Sequence, residues 1–161
     1  MTDLRAVIFD FIGTLASVKN YSLEASRLKL HKAIVEAGFN LTENDFLQAY
    51  SQAHEKYRTI RYHELVEVTN AVWVSDALNY LGFKIHSEDA RVKTAVNVFF
   101  EDYLNSLELN LCAKQVLSQV SNRYKIGLIS NFTYAPVIYA ALRRLDINRF
   151  LNAVLVSDDV G

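Results

Sequence analysis

Hydrophobic and polar positions change their period twice along this chain. Ala6-Val7-Ile8-Phe9 is an unbroken apolar run, the pattern of a strand buried on both faces in a parallel sheet, and Asp10 followed by Gly13 ends it. From about Tyr21 to Leu104 the pattern is helical. Leu23, Leu28, Ile34 and Val35 lie near one helical face, with Gly38 as a left-handed stop. Thr42, followed three residues later by Asp45, reads as a capping box that opens a helix with the apolar face Phe46, Ala49, Tyr50, Ala53 and Tyr57. A third helix is expected near His63 to Leu81, carrying Leu65, Val68, Val72 and Trp73 and stopping at Gly82. A fourth follows Ser87 with Val92, Val96, Phe99 and Tyr103. Four helices with short connections predict a small antiparallel bundle.

After Leu111 the α/β pattern returns. A helix is expected around Ala113 to Val120, a strand from Tyr124 to Ile129 ending in Ser130-Asn131, and a helix from near Pro136 to about Leu145. Ala153-Val154-Leu155-Val156-Ser157 is the third strand candidate. Strands alternating with helices imply parallel pairing through right-handed crossovers. The expected fold class is therefore α/β: a Rossmann-like parallel sheet core with three strands, residues 1–15 and 106–161, and an inserted four-helix cap, residues 16–105.

Composition narrows the functional classes. The formal charge of −1, from 17 basic and 18 acidic residues, gives no reason to expect nucleic acid or an anionic membrane as a partner, so a small molecule is the better expectation. The chain has one cysteine, Cys112, which sits beside Leu111 and Ala113 and reads as a packing residue in a reducing compartment. No apolar run reaches the ~18 residues of a membrane span, and Met1 leads into a charged segment rather than a signal peptide, so a cytoplasmic location is expected. His31, His54, His63 and His86 all fall in the helical segment without metal-like clustering and read as structural or exposed.

Asp10 carries the chemical interest. A carboxylate at the carboxyl end of a parallel strand, followed by a glycine turn, stands where open α/β sheets place their ligands. Asp10-Phe11-Ile12-Gly13-Thr14-Leu15 resembles the first motif of the haloacid dehalogenase superfamily, and Gly127-Leu128-Ile129-Ser130-Asn131 resembles its second. The helical stretch between them is similar to the four-helix cap of one large branch, and Phe150 through Gly161 resembles the approach to the third motif. The resemblance implies that Asp10 is the nucleophile that forms a covalent intermediate and that Ser130, with nearby amides, holds the oxygens of the transferred group. It further implies that Thr14 supports the turn, that Asn131 contacts substrate, and that magnesium is held at Asp10 and at the position of Ile12.

The chain departs from the family pattern in ways that divide the possible activities. Phosphatases of the family carry a second Asp two residues after the first, for acid-base work, where this chain has Ile12. A non-acidic residue there is normal in 2-haloacid dehalogenases, which need no metal, yet those use an Arg on an early cap helix, and Ser51 or Gln52 occupies that place here. Arg58 and Arg61 follow and are candidates for binding an anionic substrate, with solvated surface charge as the plainer reading. Asp158 and Asp159 fall at the end of the third strand rather than at a metal pair. The family's charge-balancing Lys and acidic fourth motif would come after Gly161, so the chain is expected to represent the first two-thirds of such a protein. Its first strand should then form a sheet edge that invites pairing with a second copy. The leading expectation is a hydrolase of small phosphorylated metabolites. A 2-haloacid dehalogenase-like enzyme, or a catalytically inactive binding or assembly module, is the alternative.

Overall fold

The computed structural model describes residues 4–160. The chain runs β1 (Ala6–Asp10), β2 (Ala16–Val18), α1 (Leu23–Glu36), α2 (Glu43–Thr59), α3 (Asn70–Tyr80), α4 (Ala90–Ser106), β3 (Leu107–Leu109), α5 (Ala113–Ser121), β4 (Lys125–Ser130), α6 (Ala135–Arg144), β5 (Ala153–Val156) and the short α7 (Ser157–Val160). It divides into two compact units, one made of the segments up to Tyr21 and from Leu104 onward, the other of Ser22 to Tyr103.

The first unit is α/β. Its main sheet is parallel in the order β1-β4-β5, with Asp10 opposite Ile129 and Ser130 opposite Val156. The three expected strands are present, and β1 is an edge. Two short strands that the sequence pattern does not signal, β2 and β3, pair antiparallel where the chain leaves and re-enters this unit. Lys19 N–H donates to the Ser106 carbonyl at 2.8 Å just beyond them.

Registered neighbours in a sheet share a face, so the burial pattern resolves two surfaces. Ile126, Leu128 and Val156 are buried together with Leu117 of α5 and with Ile138, Ala141 and Leu142 of α6. Burial of each larger side chain contributes roughly 1.5–3 kcal/mol. The opposite face carries Ile8, Ile129 and Leu155 at 64%, 48% and 51% exposure. This corrects the expectation that Ala6–Phe9 is buried on both faces. An unbroken apolar run satisfies either environment, and among the described residues nothing covers that side of Ile8.

The second unit is helical, built from the stretch in which the period-3.6 pattern predominates. Ser22 caps α1 by accepting from Ala25 N–H at 3.2 Å. Thr42 caps α2, accepting from Asp45 N–H at 3.2 Å and donating to its carboxylate at 2.7 Å. The core joins Leu30 and Ile34 to Phe46, Tyr50 and Ala53, to Trp73, Val74 and Leu78, and to Val92, Val96 and Phe99. The third helix starts later than the pattern suggests. His63 and Glu64 belong to a π-helical turn, Ile60–Glu64, that continues α2, and Leu65 then turns left-handed at φ 57° and is 86% exposed. The helix itself begins at Asn70.

Cys112 is exposed rather than packed, because it occupies a left-handed turn at φ 67° immediately before α5. Among the described residues, no helix is long and apolar enough to cross a membrane.

Candidate active site

Asp10 is the last residue of β1 and is exposed at the carboxyl end of the sheet. The backbone then folds into a compact turn because the Phe11 carbonyl accepts from Thr14, Leu15 and Ala16 N–H at 3.3, 2.9 and 3.0 Å, while Gly13 N–H donates to the Ala16 carbonyl at 2.7 Å. The turn returns the Thr14 hydroxyl to Asp10, donating to Oδ2 at 3.0 Å. One carboxylate oxygen is thus held in place by its own turn.

Gly13 makes this turn possible, since its φ of +89° lies in the region L side chains avoid. A Cβ built there meets nothing within 4 Å, so the cost of adding one comes from the backbone alone. Gly13→Ala is expected to destabilise the protein by about 1–2 kcal/mol in urea unfolding; an unchanged midpoint would show that the turn does not require glycine.

A residue with no distinctive sequence signal braces the same turn. Asn110, just after β3, donates from Nδ2 to the Thr14 carbonyl at 2.8 Å and from its backbone N–H to the Leu15 carbonyl at 2.9 Å. Its Oδ1 accepts from the Ser17 hydroxyl at 2.5 Å. An asparagine after a three-residue strand looks like an ordinary turn former, and its partners lie more than ninety residues away in sequence.

Ser130 ends the neighbouring strand and is 3% exposed, and the exposed Asn131 follows it. The Asn131 side-chain oxygen accepts from the Ser157 hydroxyl at 3.1 Å, and Ser157 Oγ also accepts from Phe132 N–H at 2.9 Å. Asp158 accepts from Ala135 N–H at 2.8 Å, capping the start of α6. Burial, reinforced by that Asp158 carboxylate, raises the Tyr134 phenol above its ordinary range and keeps it neutral. Asp159 accepts from the Tyr139 hydroxyl at 2.5 Å. Ser157 and Asp158 therefore organise the loop after β4. Gly161, the end of the stretch resembling the approach to the third motif, lies outside the described residues.

The two candidate arginines belong to the helical unit. Arg58 is exposed, 3.5 Å from Glu55 and over the Tyr62 ring at 5.8 Å. Arg61 is mostly buried and donates through two nitrogens to Glu67, at 2.6 and 3.3 Å. That carboxylate already meets much of the Arg61 charge.

Magnesium asks for more oxygen ligands than the end of β1 supplies. It is commonly held by one or two carboxylates together with substrate phosphates and water. Asp10 offers one carboxylate, and Ile12 has no side-chain oxygen. Among the described residues, no group of three or more His, Cys, Asp or Glu is placed to hold a metal. The side chains at the end of β1 thus supply only part of a magnesium coordination shell, the remainder being left to substrate and water.

No family model matches the chain, and no curated protein matches it. Solved structures do. A dehalogenase with an intermediate complex aligns over 99% of this chain and 66% of its own at 20% identity and a TM-score of 0.51. The 2-haloacid dehalogenase from Pseudomonas syringae pv. Tomato DC3000 aligns over 98% of this chain and 66% of its own at 14% identity and the same TM-score, 0.51. This chain has the haloacid dehalogenase superfamily fold. A predicted phosphoglycolate phosphatase from Haemophilus somnus 129pt, at 16% identity, 98% and 64% coverage and a TM-score of 0.49, is similar at a level that adds no weight. The chain spans about two-thirds of the length of these three solved structures, 64% to 66%. Within the haloacid dehalogenase fold, β1, β4 and β5 are the strands that bring Asp10, Ser130 and Asn131 to one end of the sheet.

Proposed function

We propose that the protein is a hydrolase of small phosphorylated metabolites that works through an aspartyl nucleophile. The observation that carries this reading is the presentation of Asp10 at the carboxyl end of a parallel strand, with Thr14 holding one carboxylate oxygen at 3.0 Å. The other oxygen attacks phosphorus, the phosphorus–oxygen ester bond breaks, and water later cleaves the aspartyl phosphate. Ser130 at the end of β4 holds the phosphoryl oxygens, and Asn131 contacts the substrate. Of the two candidate arginines, Arg58 keeps the charge more open to an anion, because Arg61 is engaged by Glu67 at 2.6 Å whereas Arg58 lies 3.5 Å from Glu55.

Ile12 narrows the substrate class. A side chain without a proton cannot protonate the departing oxygen, so esters that leave as weakly basic anions, such as acyl or aryl phosphates, are favoured over alkyl phosphates. The same residue supports a second reading, 2-haloacid dehalogenation, because a halide leaves without a proton. Magnesium belongs to the first reading and is absent from the second. Purified protein assayed with a phosphate-ester panel and 2-chloropropionate, in magnesium and in chelator, separates them. Phosphate release that needs magnesium supports the phosphatase, halide release that survives chelator supports the dehalogenase, and silence in every arm supports a binding or assembly module.

A second copy of the chain is the proposed partner. The edge strand β1 carries unpaired backbone groups beside the exposed Ile8, and such edges recruit further strands. Sedimentation should show a concentration-dependent dimer that Ile8→Lys weakens; a monomer at all accessible concentrations rejects the pairing.

A further inference from the structure

The end of the sheet opposite Asp10 holds a cluster of charge that the chemistry above does not use. Arg5 precedes β1, Lys125 opens β4, Arg123 lies in the turn between α5 and β4, and Arg149 lies on the approach to β5. All four line one cavity of about 640 Å³, which no carboxylate lines among the described residues. Asn122, Arg123 and Tyr124 also line a second cavity of about 640 Å³.

Among the described residues, little neutralises this cluster. Arg149 pairs with Asp146 at 3.2 Å, but that carboxylate oxygen also receives Lys114 at 2.7 Å. Arg5, Arg123 and Lys125 have no ion-pair partner among the described residues. In a chain with 17 basic and 18 acidic residues, this is a local segregation of charge rather than a basic protein. Four like charges around one cavity repel one another. An anion bound among the four side chains converts that repulsion into attraction.

The walls are fixed in advance. Lys125 N–H donates to the Arg5 carbonyl at 3.1 Å, Asn152 N–H donates to the Ile126 carbonyl at 2.8 Å, and Asn152 Oδ1 accepts from Ile126 N–H at 2.9 Å. The Arg149 guanidinium lies over Phe150 at 5.0 Å. Three of the four cations are guanidinium groups, whose planar forks match phosphoryl oxygens. One phosphoryl group carries about −1.5 to −2 at neutral pH, so two are needed to balance the cluster.

We propose that this cavity binds a small polyanion, a compound carrying two or more phosphoryl groups, at a site separate from the candidate active site. The five residues of β1 stand between the two ends of the sheet, about 16 Å at 3.3 Å per residue, so such a ligand acts on the protein without touching Asp10.

The probe is inorganic pyrophosphate, titrated calorimetrically into the full chain at low salt with chelator present. Saturable binding is expected, weakened about tenfold by Arg123→Gln and again by Lys125→Gln, reduced by added salt, and unchanged in Asp10→Asn. Both substituted side chains are exposed, so the variants should fold; if circular dichroism shows otherwise for one, Arg5→Gln replaces it. Absence of saturable binding overturns the proposal, as does binding that the double variant retains in full. Loss of binding in Asp10→Asn also overturns it, by placing the anion at the candidate active site. Tighter binding of a single-stranded RNA oligonucleotide than of pyrophosphate overturns it in favour of a nucleic-acid surface.

Discussion

Replacing Asp10 by Asn is expected to lower turnover of whichever substrate the panel identifies by about 10⁴-fold or more, the scale seen when a covalent nucleophile is removed. The change is nearly isosteric. The Thr14 hydroxyl, now 3.0 Å from Oδ2, retains an acceptor if the amide places its oxygen there, so the turn held by the Phe11 carbonyl should persist. A neutral amide oxygen lacks the charge that makes a carboxylate attack phosphorus or carbon. Initial rates alongside unfolding curves check this: a large loss of rate at unchanged stability supports the nucleophile, whereas equal rates for the two proteins would reject the enzymatic reading in favour of binding or assembly.

Ile12→Asp is expected to act in the opposite direction. For alkyl phosphates in magnesium it should raise turnover by roughly 10²-fold or more, the lower end of what positioned acid-base groups contribute. It supplies both a proton for the leaving oxygen and a second carboxylate beside Asp10. Ile12 is partly exposed, so a carboxylate at this position keeps access to water. Aryl phosphates, which leave without help, should gain much less. The measurement is the slope of log rate against leaving-group pKa, steep in the natural protein and flatter in the variant. A slope that does not change would mean that position 12 is not directed at the leaving group, and would favour the dehalogenase reading.

The parts of this fold that were legible in the sequence are those whose cause is local. Thr42 and Asp45 are three residues apart and cap α2 as their spacing implies. Gly38 and Gly82 close helices at positive φ, and the apolar runs at Ala6, Lys125 and Ala153 are strands. The Asp10–Thr14 pairing is likewise contained in one short turn. What escaped has causes distant in sequence. β2 and β3 have three residues each, too few to show alternation, and exist because the two ends of the helical insertion meet. Asn110 acquires its role only through that meeting. Leu65 counts as apolar in any periodicity, yet a π-helical turn and a left-handed residue place it in solvent. The one-sided burial of β1 is equally invisible locally, since Ala-Val-Ile-Phe suits a strand covered on one side or on both.

The antiparallel pair β2–β3, with Lys19 N–H on the Ser106 carbonyl at 2.8 Å, ties off the inserted helices at their root. Because closure is made there, the entropy of spanning the gap depends only logarithmically on what is strung between those two points, about 0.6 kcal/mol per doubling of length. Changes of length between Lys19 and Ser106 therefore cost little chain entropy, and the pairing at their root leaves the turn after Asp10 undisturbed.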